Sequence, residues 1–354
     1  MSRTIRLLCA AALALMVVAC ATRPYRAPEQ AGAAPALGSA LKSLALGAAL
    51  EDRLLALDPE HITAGEIQET LSKAPAPRVV LIHGGIYPVY LAMTSFAEFL
   101  IAMGYPDSAI HRPDGVLDSV YSYSPYQDSR ELAGLIAWYY ERDGMRPMIL
   151  GHSQGGVQAV KVLDELAGAF GSEIDVWNPV TDAIEPRTTI VDPLTNERRP
   201  VVGLSASYVS AVGAGGAALL LPNQWSMVHR LHTIPDTVDE FTGFSINGDL
   251  VALTFPGARG AAEYHPNGKA KVRNVFLPAQ YNHVVLPATR HLAQSGAMRD
   301  WIDAYAPERP QMDAMPADDN ASALWAADVW YSIKKHWCLE LQRLIRAKRA
   351  AAAR

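Results

Sequence analysis

Met148-Ile149-Leu150-Gly151-His152-Ser153-Gln154-Gly155-Gly156 constrains this chain more than any other stretch. Three apolar residues run into Gly-x-Ser-x-Gly, and Val157-Gln158-Ala159-Val160-Lys161-Val162-Leu163 continues with helical character. The pattern predicts a strand, a sharp turn and a helix. A serine at the apex of such a turn sits at unfavourable backbone angles, so its neighbours must be small. Gly151 and Gly155 remove the Cβ atoms that would strike the strand and the helix. Ser153 is then pushed out at the top of the sheet, beside a helix N-terminus that favours developing negative charge.

The flanking segments alternate in the same way. Val79-Val80-Leu81-Ile82 is a continuous apolar run bounded by Pro77 and Gly84, as in a fully buried parallel strand. The next helix has Ser95 and Glu98 at capping-box spacing, places Phe96, Phe99, Leu100 and Met103 on one face, and stops at Gly104. A short strand is expected around 120–124. A second helix starts at Asp128, with Glu131 at the box position and Leu132, Leu135, Ile136 and Tyr139 as its stripe, and closes at Gly144. Alternation of this kind predicts an α/β fold with a mostly parallel central sheet flanked by helices.

Residues 172–200 break the alternation. Two runs, 188–192 and 198–202, flank Pro193-Leu194-Thr195-Asn196-Glu197 and predict a hairpin insertion. A strand over 201–212 leads to Gly213-Ala214-Gly215-Gly216, which lacks the full spacing of a dinucleotide-binding loop. The apolar segment 217–235 reads either as a core helix or as a lid, so the cap or insertion is placed at about 172–235. Strands at 241–246 and 272–277 follow. The loop Pro278-Ala279-Gln280-Tyr281-Asn282-His283 then leads to a helix expected over 284–301. The last helix carries a stripe of Trp330, Ile333, Trp337, Leu341 and Leu344, with Asp318 and Asp319 near its start and basic residues toward its end. It reads as docked on the domain with a solvated basic end, or else as a membrane-surface helix.

The N-terminus belongs to targeting. Arg3 and Arg6 precede an apolar run from Leu7 to Ala19, the layout of a signal peptide and too short for a permanent span. Val17-Val18-Ala19-Cys20 resembles a bacterial lipobox, which implies cleavage before Cys20, lipidation of that cysteine and a membrane anchor there. Ala21 lacks the Asp typical of inner-membrane retention and points to the outer membrane; a periplasmic or secreted protein is the alternative. The expected organisation is a signal peptide (1–19), a tether (20–40), a helical extension (41–74), the α/β domain (75–305) and a C-terminal extension with a basic helix (306–354). The 354 residues carry a net charge of −5, which becomes −7 once the two arginines of the leader are gone, so nucleic acid is not an expected partner. Cys9 leaves with the leader and Cys20 is committed, so Cys338 has no partner for a disulfide and cysteine metal motifs are absent.

A serine hydroxyl is a poor nucleophile until a base takes its proton. The base needs a carboxylate to hold its tautomer, and the resulting oxyanion needs preorganised donors. Ser153 is the expected nucleophile. His283 is the best-placed base, in a loop between the last strand and a terminal helix; His229, His232, His265 and His291 compete. Asp249 follows a strand through Gly248 and projects from its C-terminal edge. Asp236, Asp239 and Glu240 precede that strand, and Asp192 lies in the hairpin. The expected oxyanion donors are the Gln154 N–H and that of Gly85, with Ile86 the nearest rival to Gly85.

Through His83-Gly84, Gly151-His152-Ser153-Gln154-Gly155-Gly156, Asp249 and His283, the chain resembles the α/β-hydrolases of the lipase and esterase kind over about residues 75–305. The resemblance implies an eight-stranded, mostly parallel sheet and ester hydrolysis through an acyl-enzyme, with no metal or organic cofactor. It leaves thioesterase, acyltransferase and peptidase chemistry open on the same residues, and from another class a non-catalytic envelope lipoprotein. Oligomeric state and acyl-chain length are not legible in the sequence. A neutral histidine base implies loss of activity at acid pH.

Overall fold

The structure, a computed structural model, describes residues 44–113, 120–254, 259–316 and 322–352. The expected leader, Cys20 and tether lie outside the described residues, as do Asp318 and Asp319. Two short helices, α1 (Ala48–Ala56) and α2 (Ala64–Glu69), come first; Thr63 and Glu66 form a capping box at α2. Then follow β1 (Val79–Ile82), α3 (Tyr87–Ala102), β2 (Ser122–Tyr123), α4 (Ser129–Asp143), β3 (Met148–His152) and α5 (Gln154–Leu166). Two antiparallel hairpins come next, β4 (Val176–Asn178) with β5 (Ala183–Glu185) and β6 (Thr189–Val191) with β7 (Arg198–Pro200). The chain returns through β8 (Ala206–Val212), β9 (Thr233–Ile234), β10 (Val238–Ile246), β11 (His265–Pro266) and β12 (Lys271–Leu277). It ends in α6 (Gly296–Ala304) and α7 (Ala323–Ala352).

Six strands form one all-parallel sheet in the order β12-β10-β8-β3-β1-β2. Among the described residues the sheet thus has six strands rather than the eight expected, in an α/β architecture consistent with an α/β-hydrolase-like fold. The central strands β1 and β3 are buried on both faces, which is why they read as apolar runs, whereas the edge strand β12 is only partly covered. Alternate residues serve opposite layers. Val79, Leu81, Met148 and Leu150 pack with α3, α6 and α7, whereas Val80, Ile82 and Ile149 pack with α4 and α5.

Several local expectations change. Helix α3 begins at Tyr87, not at Ser95. Pro88 stands in its first turn, where a missing N–H costs nothing, and Ser95 Oγ instead accepts the N–H of Arg290. Helix α4 keeps its expected ends, with the Asp128 side chain accepting from the Arg130 N–H and Gly144 left-handed at φ 69°. No core helix forms over 217–235: two 3-10 turns, Gly216–Leu220 and Pro222–Met227, are separated at Leu221, the residue before Pro222. The expected helix over 284–301 is split into a 3-10 turn, Arg290–Gln294, and α6, which is capped by Ser295.

Helix α7 turns its stripe into the core. Trp330, Ile333, Trp337 and Leu341 are fully buried with Trp325, each large side chain worth about 2–3 kcal/mol of burial. Its basic residues are paired rather than solvated: Lys335 with Glu240 at 2.7 Å, Arg343 with Glu340 at 2.6 Å and Lys348 with Glu51 at 2.6 Å. The apolar face that a membrane-surface helix needs is therefore already occupied. Among the described residues no helix is long and apolar enough to cross a membrane.

Candidate active site

Ser153 lies between β3 and α5 at φ 56° and ψ −122°, a conformation that costs a non-glycine residue of order 1–3 kcal/mol. The surroundings hold it there. Its N–H donates to the Val212 carbonyl at the end of β8, at 2.8 Å. A Cβ on Gly151 would strike the Gly155 carbonyl, and one on Gly155 would strike the carbonyls of Ile82 and His83. The glycines of the motif therefore let the helix and β1 close on the turn, as the spacing predicts.

Asp249 reaches the site from β10 through Asn247-Gly248, with Gly248 at φ 77°. Its Oδ1 accepts the N–H groups of Val251 and Ala252 at 2.9 and 3.1 Å. Its Oδ2 accepts from His283 Nδ1 at 2.5 Å. A carboxylate only accepts, so Nδ1 carries the proton and Nε2 is left bare. Nε2 then accepts from Ser153 Oγ at 2.9 Å. Burial alone raises the Asp249 pKa, but the bond and charge of His283, with the two backbone donors, hold it below the ordinary value. The three residues come from points 34 and 130 positions apart in the chain.

The alternative acids are engaged elsewhere. Asp239 pairs with Arg146, Glu240 with Lys335, and Asp236 accepts the Ala270 N–H at 3.1 Å, all at the opposite end of β10. Asp192 accepts from Tyr140 and Arg199 beside the second hairpin. Of the competing histidines, His229 and His265 are exposed, His232 packs on Tyr264, and His291 lies in the 3-10 turn before α6.

Gly85 lies against the other side of the nucleophile turn. Its carbonyl accepts from Tyr126 Oη at 3.1 Å, and a Cβ there would strike Gln154 Oε1. The neighbouring Gly84 is closer to the serine itself; a Cβ on it would stand 3.1 Å from Ser153 Cβ. The Gln154 N–H is in the first turn of α5, where no intrahelical acceptor exists. The Gln154 amide is buried, and neither of its polar atoms has a partner among the described residues. Gly85 thus lies against the side chain of Gln154, the residue that follows Ser153.

A scan of known families finds no matching family model, and a search of curated proteins finds no match. Among solved structures, one described as "RedJ with PEG molecule bound in the active site" aligns over 65% of this chain and 90% of that chain. The identity is 14% and the TM-score 0.29, too distant to carry an argument. The chemistry is therefore read from the residues alone.

Three contributors were not singled out from sequence. Gly213, at φ 59°, lies directly behind the base: a Cβ on it would sit 2.9 Å from His283 Cε1 and 3.0 Å from Nδ1. In the sequence it belonged to a glycine run that suggested only a weak nucleotide loop. Tyr126, which holds Gly85, sits in a turn with no distinguishing pattern. His152 occupies a variable position of the motif, yet its Nε2 donates to the His283 carbonyl at 2.7 Å. Among the described residues no cluster of three or more His, Cys, Asp or Glu side chains could hold a metal ion.

Proposed function

We propose that this protein is a serine hydrolase of the α/β-hydrolase kind, acting on carboxylic esters through Ser153, His283 and Asp249. The carrying observation is the unbroken line Ser153 Oγ–His283 Nε2 (2.9 Å) and His283 Nδ1–Asp249 Oδ2 (2.5 Å), in the tautomer that general-base catalysis needs. In this reading His283 removes the Ser153 proton as Oγ attacks the ester carbonyl. The backbone N–H groups of Gln154 and Gly85 receive the oxyanion. Collapse of the tetrahedral intermediate expels the alcohol, which takes its proton from His283. Water then attacks the acyl-enzyme with His283 again as base, and the carboxylic acid leaves.

An acyl substrate is supported by the apolar side chains around the site. Ile86 follows Gly85, Leu250 follows Asp249, and Val285 lies two residues past His283; all three are exposed. Exposed Leu220 and Trp225 lie on the turns that follow Ala217, whose N–H donates to the Val251 carbonyl beside Asp249. Exposed apolar side chains next to the three residues along the chain favour contact with hydrocarbon over a polar or charged substrate. Residues 217–235 in this reading form one wall of the acyl site. A Cys20 anchor in the outer membrane would keep the enzyme beside lipid esters, giving it the character of a lipase or lysophospholipase.

The test is hydrolysis of p-nitrophenyl esters from acetyl to palmitoyl by the purified protein and by Ser153→Ala. Turnover that disappears in the variant is the expected result, with the optimum chain length identifying an esterase or a lipase. A folded protein whose Ser153 reacts with a phosphonate but which turns over no ester overturns the ester assignment and directs attention to thioesters and amides. A folded protein with no reaction at Ser153 removes the hydrolase reading altogether.

A further inference from the structure

His152 makes a bond across the site to the backbone of His283. Its imidazole is fully buried at the end of β3, and its Nε2 lies 2.7 Å from the backbone carbonyl of His283, 131 residues away. A carbonyl only accepts, so Nε2 carries the proton and Nδ1 is bare. Nδ1 has no hydrogen-bond partner among the described residues; it faces the Gly84 backbone, where a Cβ would stand 3.1 Å from it. His152 therefore touches three segments that meet at the candidate site: its own turn beside Ser153, the 83–85 loop and the histidine loop.

The His283 ring is held on its acid side by Asp249, and Tyr281 and Leu286 anchor the loop in the core; its remaining bonds are largely local. Asn282 Oδ1 accepts the N–H groups of Val284 and Val285, and the Tyr281 N–H bonds the Pro278 carbonyl. Tyr281 Oη also accepts the Leu324 N–H in the first turn of α7. None of these bonds joins the loop to the turn that carries Ser153. The His152 bond spans that gap, because its donor is the residue preceding Ser153 and its acceptor is the backbone of His283 itself.

We propose that His152 is a positioning residue, whose Nε2–H bond to the His283 carbonyl sets the base at its working distance from Ser153. The inference rests on Ser153 and His283 acting as nucleophile and base. Burial, reinforced by the neighbouring His283 and His83, holds the His152 pKa down to about 3 against the opposing pull of the His283 carbonyl and Asp249. His152 thus stays neutral with its proton committed to Nε2 while His283 gains and loses its own. Side-chain motion of His283 during turnover is then confined to the ring, because its backbone is tied to the same turn that carries the nucleophile.

The test compares His152→Phe, which keeps an aromatic side chain and loses the donor, with His152→Gln, whose amide places an N–H near the former Nε2. Three quantities are read: the rate at which a fluorophosphonate labels Ser153, kcat and KM on a p-nitrophenyl ester, and Tm. In His152→Phe, labelling and kcat are expected to fall about 10–100-fold with KM within about twofold, because a small misplacement of the base is costly. His152→Gln is expected to recover to within about fivefold of wild type. Equal labelling in wild type and His152→Phe overturns the proposal, as does a folded His152→Gln no better than His152→Phe. Labelling requires no ester, so a wild-type protein that labels without ester turnover defeats the substrate assignment while labelling of the variants still decides the role of His152. A wild-type protein that does not label defeats both.

Discussion

Gly213→Ala is expected to disable the base while leaving every proposed reacting group in place. Gly213 is left-handed at φ 59°, and its Cα faces the His283 ring. The added methyl would lie 2.9 Å from Cε1, 3.0 Å from Nδ1 and 3.5 Å from Asp249 Oδ2, so it stands over the bond between base and acid. Carbon contacts relax at about 3.5–4.0 Å, so the ring must retreat by roughly half an ångström or more. Placing alanine in the left-handed region costs about 1–2 kcal/mol, and overpacking the ring adds about 1–3 kcal/mol. A stability loss of about 2–5 kcal/mol follows, together with a fall in kcat of roughly 100-fold from the displaced ring. Gly203→Ala separates the two effects, because Gly203 is also positive at φ 93° but a Cβ there meets nothing within 4 Å. The assay is kcat on a p-nitrophenyl ester, normalised to the folded fraction by circular dichroism, with denaturant unfolding of both variants. If Gly213→Ala retains the kcat of Gly203→Ala, the idea that this glycine sets the base against the acid is refuted.

Asp249→Asn is expected to leave the fold intact and lower kcat by about 10³-fold or more, since an amide can hold His283 in the wrong tautomer; kcat within tenfold of wild type contradicts that role. Glu240 governs a pH effect on stability. Burial raises its pKa, but His336 and the closer Lys335 draw it down to about 2 from 4.5. A carboxylate with a depressed folded-state pKa stabilises fully above its unfolded value, and that contribution disappears as pH falls from about 4.5 to 2, at most about 3 kcal/mol. Denaturant unfolding at pH 7 and at pH 3 should show Glu240→Gln less stable than wild type at the higher pH, with roughly half or more of that gap closed at the lower one. Parallel curves for the two proteins at both pH values rule this contribution out.

Much of the site was legible because its parts obey local rules. The nucleophile turn is recognisable from apolar run, glycine spacing and helix, since steric exclusion at Gly151 and Gly155 acts within a few residues or against the adjacent strand. That Asp249 and His283 would meet Ser153 was readable from their places after strands β10 and β12, because a parallel strand delivers the residue that follows it to one known edge. The rejected acids at the start of β10 followed from the same geometry, and the structure finds them bound to Arg146, Lys335 and the 269–270 backbone. Helix ends were less secure. Pro88 moved the start of α3 forward, Pro222 prevented a helix over 217–235, and the stretch over 284–301 divided at Ser295, each where backbone hydrogen bonding outweighed side-chain periodicity.

The sequence by itself determined an alternating α/β chain, a serine on a strained strand-to-helix turn, and the strand ends from which an acid and a histidine emerge. Those properties depend on period, chain direction and sterics between near neighbours. Tertiary structure decided what crosses the sheet or the site: the carbonyl of His283 received by His152, Gly213 against the imidazole, and Tyr126 on the Gly85 carbonyl. It also turned the tryptophans of α7 inward and paired Lys335 and Lys348 of that helix with Glu240 and Glu51. These are contacts between segments tens to hundreds of residues apart. No local periodicity encodes them, because each depends on which surfaces the completed sheet brings together.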